Sequence, residues 1–340
     1  MVRLGIGTSK DAKISNDVNW VALKAIADRH GLSAIVLDGL NEVLKTNSQL
    51  SSLNSQLKLS WIGATELQRL QYQHSWKVAC KLDKLWSAEG IHATVLKGRS
   101  IAKYYPVPSH RYSCDLDVFI GGEWGRACEL LEGQGIRLEH EVYKEVEFTL
   151  DNVYVECHRY ITPVRGNKHL KEFERYLRSL LDGEPKECFE GTTLVCPPLM
   201  FTVLLYIEHA LGDLLHGHLT LKHIVDWVVL RRQPVDWDAF KAKCMAFKFD
   251  KFLPLIDALA DVVEGKKEYD SLQPAYREIF DEMFQGKEPL KQGTWFQRRI
   301  RLFFDIIKNG KKFHDYGYTS MPSFLFNGVW AHFFDKEVNL

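Results

Sequence analysis

Two aspartates spaced one residue apart, Asp115 and Asp117 in "CDLDVFI", are the residues in this chain best suited to hold a metal ion. The stretch is β-rich, and strand side chains alternate faces, so both carboxylates point the same way, about 6.5 to 7 Å apart along the backbone. Leu116 and Val118 then face the core. Two like charges side by side repel, and a hard cation relieves them; magnesium takes carboxylate, phosphate and water oxygens. A third acid is expected if two ions are held, because paired ions in phosphoryl transfer lie about 3.5 to 4 Å apart. Glu156 of "VYVECHRY" supplies it, on the same strand face as Tyr154 and His158. Asp151 is better explained as a turn residue. His158 is read as a support behind the metal ligands.

Upstream, "ATVLKGRS" is a short strand running into a turn at Gly98 and a helix at about Arg99. Glycine lets backbone approach a phosphate. Lys97, Arg99 and Ser100 would add contacts, and Arg111, four residues before Asp115, would reach a triphosphate or brace the acids.

These residues must be carried by an α/β unit. "EVEFTLDNVYVECHRY" alternates about Asp151-Asn152 as a hairpin with a two-residue turn, and "EWGRACELLEGQG" reads as an amphipathic helix. Earlier helices are expected over 17–31, capped by Asn16 or Asp17, then through Ile35, Leu40 and Leu44, and over 64–88. "NSQLSSLNSQL" suits a polar helix surface or a linker. After Pro163 and Gly166 the chain reads as helical over 168–183, 198–212, 219–232, 236–264, 272–285 and 294–309, with "TTLVC" the exception. The expected organisation is an N-terminal helical segment (1–60), an α/β core (61–162) and a C-terminal helical domain (163–340).

Composition narrows the partners. Lys plus Arg and Asp plus Glu number 44 each, so no global field recruits nucleic acid or anionic membrane, and any such partner would have to be bound locally. Seven scattered cysteines, none in a CxxC pair, suit a reducing cytoplasm rather than a disulfide framework or a structural zinc site. No stretch approaches the roughly 18 consecutive apolar residues of a membrane span, so stable membrane insertion is not expected. Glu208, His209, Asp213, His216, His218 and His223 include a pair, His209 and Asp213, on one helical face. The absence of an HExxH motif weighs against zinc there. "WFQRRIRLFFDIIKNGKKF" carries Arg298, Arg299, Arg301, Lys308, Lys311 and Lys312 beside an apolar face. RNA or membrane binding is weighed for it, and docking on its own domain is favoured.

"VLKGRSIAKYYPVPSHRYSCDLDVFI" followed by "VYVECHRY" resembles the uncharacterised nucleotidyltransferase family of the DNA polymerase beta superfamily, and "LYIEHALGDLLHGHLTLKHIVDWVVL" is similar to that family's helical half. The resemblance spans about residues 60–240. It implies an α+β fold: a small mixed sheet with helices, flanked by N-terminal helices and a larger C-terminal helical region. It implies a magnesium-dependent enzyme, with two ions and manganese as an alternative, moving a nucleotidyl group from a nucleoside triphosphate such as ATP to an acceptor. Asp115, Asp117 and Glu156 would be catalytic and hold metal. Lys97, Gly98, Arg99, Ser100, Arg111, His209 and Lys222 would bind nucleotide, with His158 and Asp226 behind them. Two departures stand out: bulky Arg99 follows Gly98, and Cys114 precedes Asp115. The alternative is a nucleotide-binding regulatory module with little turnover.

Overall fold

The computed structural model describes residues 1–9, 18–46, 53–164, 167–183, 187–285, 304 and 306–326. Helices α1 (Val2–Gly5), α2 (Trp20–Arg29) and α3 (Ser33–Thr46) precede the long α4 (Ser55–Ser87). The side chain of Asn19 caps α2, accepting from the amide of Ala22 at 3.0 Å. Residues 16 and 17 lie outside the described residues. Helix α4 starts nine residues before the expected boundary, capped by Asn54. Of the Asn-Ser-Gln-Leu repeat, residues 47–52 lie outside the described residues, and the second copy enters α4.

The α/β unit follows: β1 (Thr94–Val95), α5 (Lys97–Ala102), β2 (Asp115–Phe119), α6 (Trp124–Gly133), β3 (Leu138–Glu141), β4 (Glu145–Leu150) and β5 (Val153–His158). They form one mixed sheet in the order β1-β2-β5-β4-β3, in which only β2 and β5 pair in parallel. The β4–β5 turn is Asp151-Asn152, both at positive φ (49° and 62°), the backbone of a tight hairpin that Asp and Asn tolerate. Strand β3 was not expected, because "LEHE" has no apolar alternation. It is the sheet's exposed, charged edge.

Alternation gives the sheet two unlike faces. Leu116, Val118, Val146, Phe148, Val153, Val155 and Cys157 join Val78, Leu82 and Trp86 of α4 and Ala127 and Leu131 of α6 in one buried cluster. The opposite face presents Asp117, Glu145, Glu156 and His158. Val195 of "TTLVC" bridges to β1, its amide donating to the carbonyl of Ala93 at 2.8 Å.

The helical half comprises α7 (Lys168–Leu181), α8 (Leu199–His216), α9 (Leu221–Leu230), α10 (Trp237–Ala246), α11 (Leu253–Val263), α12 (Pro274–Phe284) and α13 (Gly310–Tyr316). The span read as one helix over 236–264 is two, interrupted after Phe247, where Lys248 takes φ 64°. The chain enters this half through Ile161 and Thr162, whose amides donate to the fully buried Glu174. Side chains of α2, α3 and α8–α12 share one core cluster. Helix α8 is long and apolar enough to cross a membrane, yet 67% of it is buried inside the protein, as befits a core helix. Most of the basic, aromatic 295–313 stretch lies outside the described residues. Its described end docks through Ile306 and Phe313, while Lys312 pairs with Glu282.

Candidate active site

The parallel pairing of β2 with β5 builds the acidic centre. Asp117 stands opposite Glu156 in register, and Asp115 opposite Tyr154. Donor atoms of Asp117, Glu156 and His158 all lie within 4.8 Å of one another. Lys97, at the start of α5, places its ammonium 2.8 Å from Asp117 Oδ1 and 4.0 Å from Glu156 Oε2. It does so from a strained backbone, φ 39°, a conformation that side chains other than glycine adopt at a cost of about 1 to 3 kcal/mol.

His158, wholly buried, brings Nε2 to 3.0 Å from the same Asp117 oxygen. Its Nδ1 lies 2.7 Å from Glu145 Oε2, outside hydrogen-bonding geometry. Glu145 thus stands behind His158 as His158 stands behind Asp117. Glu145 was not named as a site residue, although the hairpin register about Asp151-Asn152 already sets it opposite His158, as β4 and β5 pair here.

The charges are unevenly shared. Burial works against ionised Asp117, yet Lys97 and His158 hold its carboxyl well below the usual range. Glu156 goes the other way, pushed up to about 8 first by burial and then by Asp117. Lys97 is raised above the ordinary lysine value, since its carboxylate neighbours outweigh desolvation. Crowded carboxyls that push one of their number upward mark a cluster short of positive charge. The Lys97 ammonium already sits where a cation is wanted, and the all-oxygen donors suit magnesium.

The glycine turn is tight for a definite reason. A Cβ on Gly98 would fall 2.4 Å from Ser113 Oγ and 3.3 Å from Ser113 Cβ, so any other residue would make Ser113 give way. Ser100 is buried and donates to the carbonyl of Lys97 at 2.9 Å. Arg99 turns away from the acids. Its guanidinium stacks 3.8 Å from the Tyr72 ring centre and 4.4 Å from that of Trp76, and donates to the Tyr72 carbonyl.

Arg111 is buried and grips Asp226 of α9 through two bonds, 2.7 and 2.8 Å long, while donating to the carbonyl of Gly98 at 3.1 Å. Tyr105 donates to the same Asp226 at 2.6 Å. One ion pair therefore fastens α9 to the glycine turn.

Between these parts lies a cleft of about 250 Å³. The sheet side supplies Lys97, Gly98, Ser100, Asp115, Asp117 and Glu156; the helical wall adds Phe201, Leu205, Tyr206, His209, Lys222 and His223. Arg99 is not among the lining residues. Lys222 has no carboxylate within 4.0 Å among the described residues.

A small five-stranded mixed sheet bearing acids on one face, with helices behind it and a helical C-terminal region over it, is consistent with a nucleotidyltransferase core. The chain belongs to the uncharacterised nucleotidyltransferase family, whose sequence model matches residues 16–263. No curated protein and no solved structure matches it. Membership supports nucleotidyl transfer as the general activity, with a nucleotide as substrate.

Proposed function

We propose that the protein moves a nucleotidyl group from a magnesium-bound nucleoside triphosphate to an acceptor hydroxyl. The observation that carries this reading is Asp117 and Glu156, side by side on the parallel strand pair, with Lys97 between them. Asp115, Asp117 and Glu156 would hold magnesium, with manganese as a substitute, and the bound ions would supply Lewis-acid stabilisation of charge on the phosphate oxygens. The acceptor oxygen attacks the α-phosphorus, the bond to the β-phosphate oxygen breaks, and pyrophosphate leaves with the electron pair. Bound ions would leave Glu156 ionised, and its carboxylate would then take the acceptor's proton. His158 and Glu145 hold Asp117 in place from behind. Lys97 and Lys222 supply positive charge to the phosphates, and Phe201 and Leu205 offer apolar surface to the rest of the nucleotide. Rate enhancement comes mainly from alignment and preorganised charge.

Arg111 acts in this reading as a brace, because both edges of its guanidinium are committed to Asp226 and Gly98. The alternative, a binding module with little turnover, drew its motive from Arg99, and Arg99 stacks on α4 instead of obstructing the cleft. We place the protein in the cytoplasm, where its seven thiols would stay reduced.

Binding tests this. Each charge-assisted phosphate contact contributes about 1.5 to 3 kcal/mol, so losing two on going from triphosphate to monophosphate should weaken binding about a hundredfold or more. The choice of base should matter less, and added salt should weaken binding. Calorimetry of ATP, GTP, CTP and UTP and their monophosphates, with magnesium, measures all three. Equal affinity for ATP and AMP would rule out a triphosphate site.

A further inference from the structure

Opposite the acidic face, on the helical wall, a second set of metal-ligating side chains converges. His209 and Asp213 lie one turn apart on α8, and the first turn of α9 brings His223 to them. Asp213 Oδ2 lies 2.9 Å from His223 Nε2 and 3.5 Å from His209 Nε2. Donor atoms of all three fall within 4.8 Å of one another. Tetrahedral ligands at zinc bond lengths of about 2.0 to 2.2 Å stand about 3.4 Å apart. The triangle is thus close to the size an ion needs before any ion arrives.

Ligation through Nε2 would require His223 to change tautomer. His223 Nδ1 accepts from the Thr220 amide at 3.0 Å and lies 2.9 Å from Thr220 Oγ1. A ring that gives Nε2 to a metal must carry its proton on Nδ1, and metal-bound histidines donate that proton to a nearby acceptor. Thr220 Oγ1 is the acceptor within reach, and the Thr220 amide, which now donates to Nδ1, must then turn away from the ring, so ligation costs the capping bond of α9.

We propose that His209, Asp213 and His223 form a second metal site, of the zinc class, on the helical wall of the cleft. Two imidazoles and one carboxylate suit zinc, whereas the oxygen donors of Asp115, Asp117 and Glu156 suit magnesium. His209 and His223 both line the cleft, so the remaining coordination position faces its interior, as in zinc sites that handle a ligand rather than only hold a fold. An oxyanion within the cleft would fill it.

The test is titration of the metal-stripped full chain with zinc chloride by calorimetry, and with cobalt(II) by visible absorption. One zinc per chain is expected, with the intense d–d bands of four-coordinate cobalt. His209→Gln, Asp213→Asn and His223→Gln should each weaken zinc binding by about a hundredfold or more, since even outer-shell changes cost 10- to 100-fold, while Asp117→Asn should leave it unchanged. Should His223→Gln fail to fold by circular dichroism, His209→Gln decides, because 43% of that side chain is exposed. No stoichiometric zinc in the wild type, or an affinity unmoved by these variants, overturns the proposal. Calorimetry with magnesium-ATP on the same wild-type sample separates the two readings. Zinc binding without ATP binding retains this site and refutes the triphosphate site; ATP binding without zinc does the reverse.

Discussion

Asp117→Asn will lower metal-dependent turnover of a nucleoside triphosphate by about three orders of magnitude. The magnitude follows from the several kcal/mol that an ion contributes to transition-state charge, at about 1.36 kcal/mol per factor of ten. Asp117 is the natural place for so large an effect, because three partners converge on it. Lys97 and His158 share its Oδ1, and Glu156 stands beside it in register. The asparagine keeps the shape and removes the charge. Release of pyrophosphate, measured across a magnesium titration, checks the expectation. A variant with turnover within tenfold of the wild type would show that Asp117 holds no catalytic ion. Unfolding must be followed in parallel, since the change also leaves the Lys97 ammonium with one carboxylate fewer.

The second large effect concerns stability. Replacing Asp226 by alanine strands a buried guanidinium, and breaking such a pair costs about 3 to 5 kcal/mol. Tyr105 loses its acceptor in the same stroke. Urea denaturation should show the loss, and a change below about 1 kcal/mol would mean that the pair holds nothing together. Replacing both partners by apolar residues, Arg111→Met with Asp226→Leu, should restore much of the stability. If Arg111 acts only as a brace, the double variant also binds ATP within a few fold of the wild type; if it grips phosphate, binding falls with the guanidinium. The pH dependence has a definite sign. Burial works against the Asp226 charge, but Arg111 holds its carboxyl below the ordinary aspartate value of 3.8. The pair's contribution is therefore complete above that unfolded-state value and is lost as pH falls through the lower folded value. Asp226→Asn should remove this part of the acid destabilisation.

Local periodicity made the acidic strands legible. Asp115, Asp117, Glu156 and His158 declare their shared faces by alternation alone, and Asp151-Asn152 announces the hairpin. Other features depend on distant parts of the chain. Arg111 and Asp226 are 115 residues apart, and nothing near either residue indicates that they meet. The stacking of Arg99 on Tyr72 and Trp76 depends on how α4 crosses α5, a packing choice outside any short window. Strand β3 went unread because an exposed charged edge needs no apolar alternation. The break between α10 and α11 went unread because Lys248, neither glycine nor proline, takes the left-handed turn.

The mixed order of the sheet also governs when, during synthesis and folding, the chain acquires its chemistry. Strands β4 and β5 close on each other through two residues, a local event, and carry Glu145, Glu156 and His158 together. Asp117 belongs to β2, and its parallel partner β5 emerges only after α6, β3 and β4, a non-local closure that loop entropy delays. A slip of one residue in that pairing would turn Glu156 into the apolar cluster of Val118 and Phe148 and push Val155 out, so the core itself rejects the wrong register. A nascent chain that stops before His158 therefore holds the aspartates without the strand that completes the site. On the proposed function, turnover by the growing polypeptide waits until its sheet is finished.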